Sequence, residues 1–369
     1  MLDPGFTTAE MAEVFAPAAR VAGMLEFEAA LALALADTGL VDMETAEAVV
    51  AACGEPIPDP DAVLAATWTE GTPLRPLLEE VRSRLPDDLR QWAHYGATTQ
   101  DTVDTATMLQ ARKGLEVLDK QLIGVAGELA ELAIRHRDQP QMGRTFLQHA
   151  RPTTFGFTVA GWLDATLAHL SELGEARRGL AVQCGGPVGN LSAFGPKGSE
   201  VVAALAVRLG LVAPPLPWHS DRSRVSALTS GLERTTRTMA RIGIDVALLA
   251  SSDVAEISVR SGGSSTMAGK QNPMDSVRAA AAAELCTAAA GAITGARLTE
   301  LERGIGGWHA EWAALPLVFE TTAAAVEAIA SCLASLEVNP GVMGADVAAP
   351  DIDPRLIDGV IAAYRELTR

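Results

Sequence analysis

"RVSALTSGLERTTRTMARIGIDVALLA", residues 224–250, decides the fold. Val225, Leu228, Leu232, Met239, Ile242, Val246 and Leu249 recur at steps of three, four and seven. That period puts all of them on one stripe of a helix. No proline interrupts the run. The spacing predicts a helix of roughly ten turns, far beyond the three to four turns of an average one. So long an apolar stripe needs other helices packed along its whole length.

Similar patterns lie outward on both sides. Helical spacing runs over 8–37, 103–138, 154–182, 199–211, 275–300 and 311–335. The chain has 369 residues, 48% hydrophobic but only 4% aromatic. Its apolar content is mostly Ala, Leu and Val; Ala and Leu favour helices, and Ala lets them pack closely. The expected class is all-α: an elongated central bundle of long helices with short polar breaks and a truncated C-terminal domain. Three parts are expected: a helical domain over 1–106, the long bundle over 107–336, and a short helical remnant over 337–369. Some stripes are expected to be buried between subunits, which predicts a homo-oligomer.

The net charge of -17 disfavours nucleic acid, which requires a basic footprint. A small anionic substrate stays open, provided that cations gather locally against the overall field. Cys53, Cys184, Cys286 and Cys332 are far apart and form neither a CxxC nor a zinc pattern. They read as free thiols in a reducing compartment. The N-terminus has no basic-then-apolar leader pattern, and no uninterrupted apolar run approaches membrane-spanning length. The expectation is a cytoplasmic protein, with no membrane, metal or cofactor.

Chemistry concentrates in five breaks: "HYGATTQD" (94–101), "GRTFLQHARPTT" (143–154), "GGPVGN" (185–190), "WHSDRSR" (218–224) and "GGSSTMAGKQNP" (262–273). The last is not a nucleotide loop. Gln271 follows Gly269 and Lys270 where Ser or Thr is needed, Ser264 stands where the first glycine is needed, and no strand precedes it. Gly262 and Gly263 allow backbone amides to point at an anion, and Lys270 adds a formal positive charge. Ser264 there can exchange a proton, because cations and amide donors favour its alkoxide. An exposed loop with no role has the same composition; the other breaks bear on the choice.

In order, those breaks resemble the fumarase/aspartase superfamily. "GGSSTMAGKQNP" is similar to its signature GSSxMPxKxNP, "HYGATTQDTVDTA" to HxGxTSxDxxDTA, and "GRTFLQHARPTT" to GRTHxQxAxPTT. Two further stretches, "LPWHSDRSR" and "GGWHAEWAALP", resemble the cycloisomerase branch, as does aromatic Phe146 in place of a common histidine. Ala268, Gly269 and Gln271 depart from the usual proline, histidine and arginine.

The resemblance implies ring closure of a carboxylated muconate by its own carboxylate, without metal or cofactor. It implies Ser264 as the proton-transfer residue and His94 as an acid or a carboxylate partner. Thr98, Thr99, Gln100, Thr145, Gln148, Lys270 and Asn272 would bind substrate carboxylates. Arg222 and Arg224 are candidate clamps, since guanidinium matches carboxylate in bidentate geometry. The partners implied are a small polyanionic carboxylate and further copies of the chain, in a homotetramer with composite sites. Two other readings stay open: a fumarate-releasing lyase acting on an aminated or nitrated succinate, and a non-catalytic bundle that binds or supports.

Overall fold

The structure is a computed structural model. It describes residues 3–368 except 261, 264, 268 and 296–298. The N-terminal part contains α1 (Ala9–Val14), α2 (Pro17–Asp37), α3 (Met43–Gly54), α4 (Pro60–Ala65), α5 (Thr67–Glu70) and α6 (Leu74–Ser83). Five long helices follow: α7 (Thr99–Arg135), α8 (Phe155–Arg178), α10 (Ser223–Leu249), α11 (Met274–Gly295) and α12 (Gly307–Ala334), with the shorter α9 (Gly198–Leu209) after α8. The hairpin β1 (Pro140–Thr145) and β2 (Gln148–Thr154) joins α7 to α8. Short β3 (Ile257–Ser258) pairs with β4 (Glu337–Val338), and α13 (Pro340–Met343) and α14 (Pro354–Leu367) close the chain.

The predicted stripe on α10 is real. All seven of its apolar residues are buried in the main core, with Phe155 and Trp162 of α8 and Phe319 of α12. The helix itself is shorter than expected: 27 residues make about seven and a half turns. The longest helix is instead α7, with 37 residues. Threonines also enter the core. Thr235 and Thr236 are fully buried, and their hydroxyls donate to the carbonyls of Gly231 and Leu232 one turn back. That back-bonding satisfies a hydroxyl without water, so the polar "TT" inside the stripe costs little.

The division at 106 falls inside α7, which runs unbroken past it. Core packing explains this: Val103 and Ala106 of α7 join Val21, Met24, Leu74, Leu77 and Trp308 in one cluster. Although Glu320 and Glu327 interrupt its apolar run, α12 has the length and mean hydropathy of a helix that could cross a membrane. Most of that apolar window is buried inside the bundle, as in the core helix of a packed protein.

The helices run alternately up and down, which gives the bundle two poles. At a rise of 1.5 Å per residue, the 37 residues of α7 separate its ends by about 55 Å. One pole holds the start of α7, the start of α10 and the start of α12; Arg222 bonds Asp104 and Glu311 there. The other holds the hairpin, the end of α10 and the start of α11; Arg144 and Gln141 bond Glu256 there.

Candidate active site

At the Thr99 pole, buried polar groups form a closed framework. Asp101, in the first turn of α7, accepts from the amides of Thr98 at 3.0 Å and Gly186 at 2.9 Å through Oδ2. Its Oδ1 lies 2.6 Å from Nε2 of His219. The glycine loop fits closely over these groups. A Cβ at Gly185 would lie 2.9 Å from the His219 ring, and one at Gly186 would lie 2.7 Å from the carbonyl of Gly96. Gly186 also has φ +76°, which favours glycine. The break "GGPVGN" is therefore a close-packed lid on Asp101 and His219.

A second cluster stands one helical turn further along. Arg222 donates to Asp104 at 2.7 and 3.0 Å and to Glu311 at 3.0 Å. Trp308 donates its indole N–H to Asp104 at 2.8 Å. Burial alone would lower the Arg222 pKa, but Asp104 and Glu311 outweigh it and raise it. Burial raises the Glu311 carboxyl, an effect only partly offset by Arg222. Here "WHSDR" and "GWHAEW" meet through Arg222 and Glu311.

This geometry bears on two of the expected substrate-binding residues. Arg222 is buried and its guanidinium is committed to two carboxylates, so it braces helices rather than clamping a ligand. Gln100 is 1% exposed and donates to the carbonyl of His219 at 3.0 Å. Through that nitrogen its amide joins α7 to the loop before α10, while its Oε1 is buried with no hydrogen-bond partner. Arg224 is exposed two residues beyond Arg222.

His94 and Thr99 do share one open region, with Thr98 next to Thr99 in the chain. His94 and Thr99 line a pocket of about 280 Å³ with Thr72, Arg75 and Arg82. Thr72 and Thr99 exchange a hydroxyl hydrogen bond at 3.3 Å. Thr98 accepts from exposed Arg303 at 3.1 Å. Thr72, Arg303 and Glu28 were not among the residues singled out from sequence. They lie outside the five breaks, and no spacing relates them to α7.

At the hairpin pole the side chains face outward. Phe146 and Leu147 form the two-residue turn with φ of 51° and 61°, and are 98% and 69% exposed. Paired positive φ suits a tight hairpin and normally favours Asn-Gly. Thr145 and Gln148 flank that turn and are exposed. Arg144 at 3.2 Å and Gln141 at 3.1 Å both donate to buried Glu256, which clips the hairpin to the segment after α10. In the nearby signature loop, Gly262 and Asn272 exchange backbone hydrogen bonds of 3.0 and 3.1 Å. Lys270 lies exposed within that closed base. Ser264 lies outside the described residues.

The candidate residues thus divide: His94, Thr98, Thr99 and Arg224 at one pole, Thr145, Gln148, Lys270 and Asn272 at the other. Within one chain the length of α7 keeps them apart.

Comparison with known proteins bears on this arrangement. The 3-carboxy-cis,cis-muconate cycloisomerase of Pseudomonas aeruginosa is 38% identical over 347 residues, 92% of this chain and 76% of that protein. Trans-aconitate decarboxylase 1 of Mycosarcoma maydis is 34% identical, over 92% of this chain and 70% of its own. The crystal structure of 3-carboxy-cis,cis-muconate lactonizing enzyme from Pseudomonas putida superposes with a TM-score of 0.86 at 35% identity, covering 92% of this chain and 77% of that one. The profile of the family described as lyase matches residues 5–295, from the segment before α1 to the end of α11. A family match from before α1 to the end of α11, together with 38% identity to the cycloisomerase over 92% of the chain, makes this chain a member of the fumarase/aspartase lyase family.

Proposed function

We propose that the chain is a 3-carboxy-cis,cis-muconate cycloisomerase. The observation that carries this reading is the likeness to the Pseudomonas aeruginosa cycloisomerase across 92% of the chain. A substrate carboxylate adds across the diene and closes a lactone. The electron pair moves onto the carboxylate beside the attacked double bond, and the resulting aci-carboxylate takes up one proton at carbon. Holding the chain folded for ring closure is worth about 7–11 kcal/mol in favourable intramolecular reactions. Fixed donors aimed at the aci-carboxylate supply the rest of the stabilisation.

In this reading Ser264 handles the proton, with His94 as acid or carboxylate partner. Lys270, Asn272, Thr145 and Gln148 from one pole, and Thr98, Thr99 and Arg224 from the other, hold the three carboxylates. Because about 55 Å separates the ends of a 37-residue helix, copies of the chain assemble so that one copy's hairpin pole meets another's Thr99 pole. A homotetramer supplies such meetings, and the exposed Phe146 and Leu147 support it as surfaces awaiting cover.

Turnover of 3-carboxy-cis,cis-muconate, followed by loss of diene absorbance, tests the reaction. Fumarate release from a substituted succinate, or carbon dioxide release from trans-aconitate, with the muconate untouched, would replace it. Ser264→Ala is expected to abolish turnover. Mixing Ser264→Ala subunits with Thr99→Val subunits is expected to restore activity; no recovery in a verified mixed oligomer defeats the composite site.

A further inference from the structure

Glu28, on α2, is 1% exposed, yet it carries a carboxyl group into the packing between α2 and α7. Its Oε1 accepts from the Thr102 hydroxyl at 2.8 Å and lies 2.9 Å from Nδ1 of His94. Its Oε2 is buried with no hydrogen-bond partner. A buried carboxylate costs several kcal/mol unless an opposite charge offsets it. No hydrogen-bond acceptor stands at Oε2 for a carboxyl O–H. Among the described residues, only the His94 ring stands close enough to supply positive charge to Glu28 by direct contact.

The backbone also points to a placed imidazole. His94 has φ +67°, a left-handed conformation that non-glycine residues rarely take. This strain turns the ring so that Nδ1 meets Glu28, and the side chain is 13% exposed on the pocket side. With Nδ1–H held by the carboxylate, the tautomer is fixed, and Nε2 is left for the pocket where Thr72 and Thr99 stand.

We propose that Glu28 is a positioning residue that keeps His94 as an imidazolium, whose Nε2–H receives one carboxylate of the substrate. Resting on the cycloisomerase reading, it assigns His94 to binding rather than to proton delivery. The surroundings agree. Burial disfavours the charged ring, but Glu28 and, more weakly, Asp101 of α7 overcome it and raise the His94 pKa against the opposing charge of Arg82 on α6. Arg82 is meanwhile held by the carbonyl of Ala93. The start of α7 adds its own partial positive charge to the same pocket.

Imidazole resonances of the full-length protein test this, with His94 assigned by the signal missing from His94→Gln. In the wild type, His94 is expected to titrate above its ordinary value of about 6.5, and in Glu28→Gln at least about one unit lower. Tricarballylate, a saturated tricarboxylate, is expected to shift the wild-type His94 signal. At a pH between the His94 titrations of the two proteins, Glu28→Gln is expected to raise KM at least about tenfold while kcat stays within threefold. Equal titration in both proteins overturns the proposal, and so does loss of kcat with unchanged KM. If Glu28→Gln does not fold, the wild-type titration decides: a His94 neutral below 6.5 sinks the idea. A tricarballylate shift in a protein that leaves the muconate untouched supports the pair and removes only the cycloisomerase reading.

Discussion

The two poles of the bundle spend their polar residues differently. At the Thr99 pole, buried Arg222 is bonded to Asp104 and Glu311 and buried Asp101 to His219, and the site is a pocket beside them. At the hairpin pole, Thr145, Phe146, Gln148 and Lys270 face outward. One end holds two buried polar clusters, while at the other Glu256 anchors the hairpin through Arg144 and Gln141 and these four side chains project beyond it. The same residue types are therefore bonded and buried at one end and exposed at the other.

The contrast breaks most sharply at Arg222. Arg222→Ala leaves two buried carboxylates without their cation, and a loss of about 3–5 kcal/mol of stability is expected. Urea unfolding measures it, and a change below 1 kcal/mol would mean that the cluster is not the frame. Lys270→Ala should do the reverse. We expect a fall of about 10²–10³ in kcat/KM with an unchanged urea midpoint.

A pH series sharpens the comparison. The folded His94 pKa lies above its ordinary value, so its stabilising contribution is complete below about 6.5 and disappears as pH rises through the folded value. Stability of wild type relative to His94→Gln, measured across that window, should decline with rising pH; a difference that grows instead contradicts the sign. The smallest effect on the fold belongs to Phe146→Ser, since that ring is 98% exposed. The unfolding free energy of the single chain should move by no more than about 0.5 kcal/mol, while sedimentation shows weakened assembly. An unaltered oligomer would show that the hairpin tip has no partner.

Much of the fold was legible because helical stripes repeat locally. The α10 stripe could be read from residues 225–249 without knowing their neighbours. The β1–β2 hairpin could not. "QMGRTFLQHARPTT" lacks apolar alternation, and Phe146-Leu147 gives none of the usual signs of a two-residue turn. Similarly, "DRSR" offers two arginines of equal appearance. Only packing separates Arg222, buried between Asp104 and Glu311, from exposed Arg224.

By itself, the sequence determined the helical class, the polar breaks and the order of the family motifs, because each depends on residues close together along the chain. Tertiary structure alone decided which breaks share a pole, that Gln100 and Arg222 face inward, and that Glu28 meets His94 across 66 positions. Those outcomes depend on helix length and direction in space, and on where a buried charge can find a counter-charge. No local pattern of residue types encodes either one.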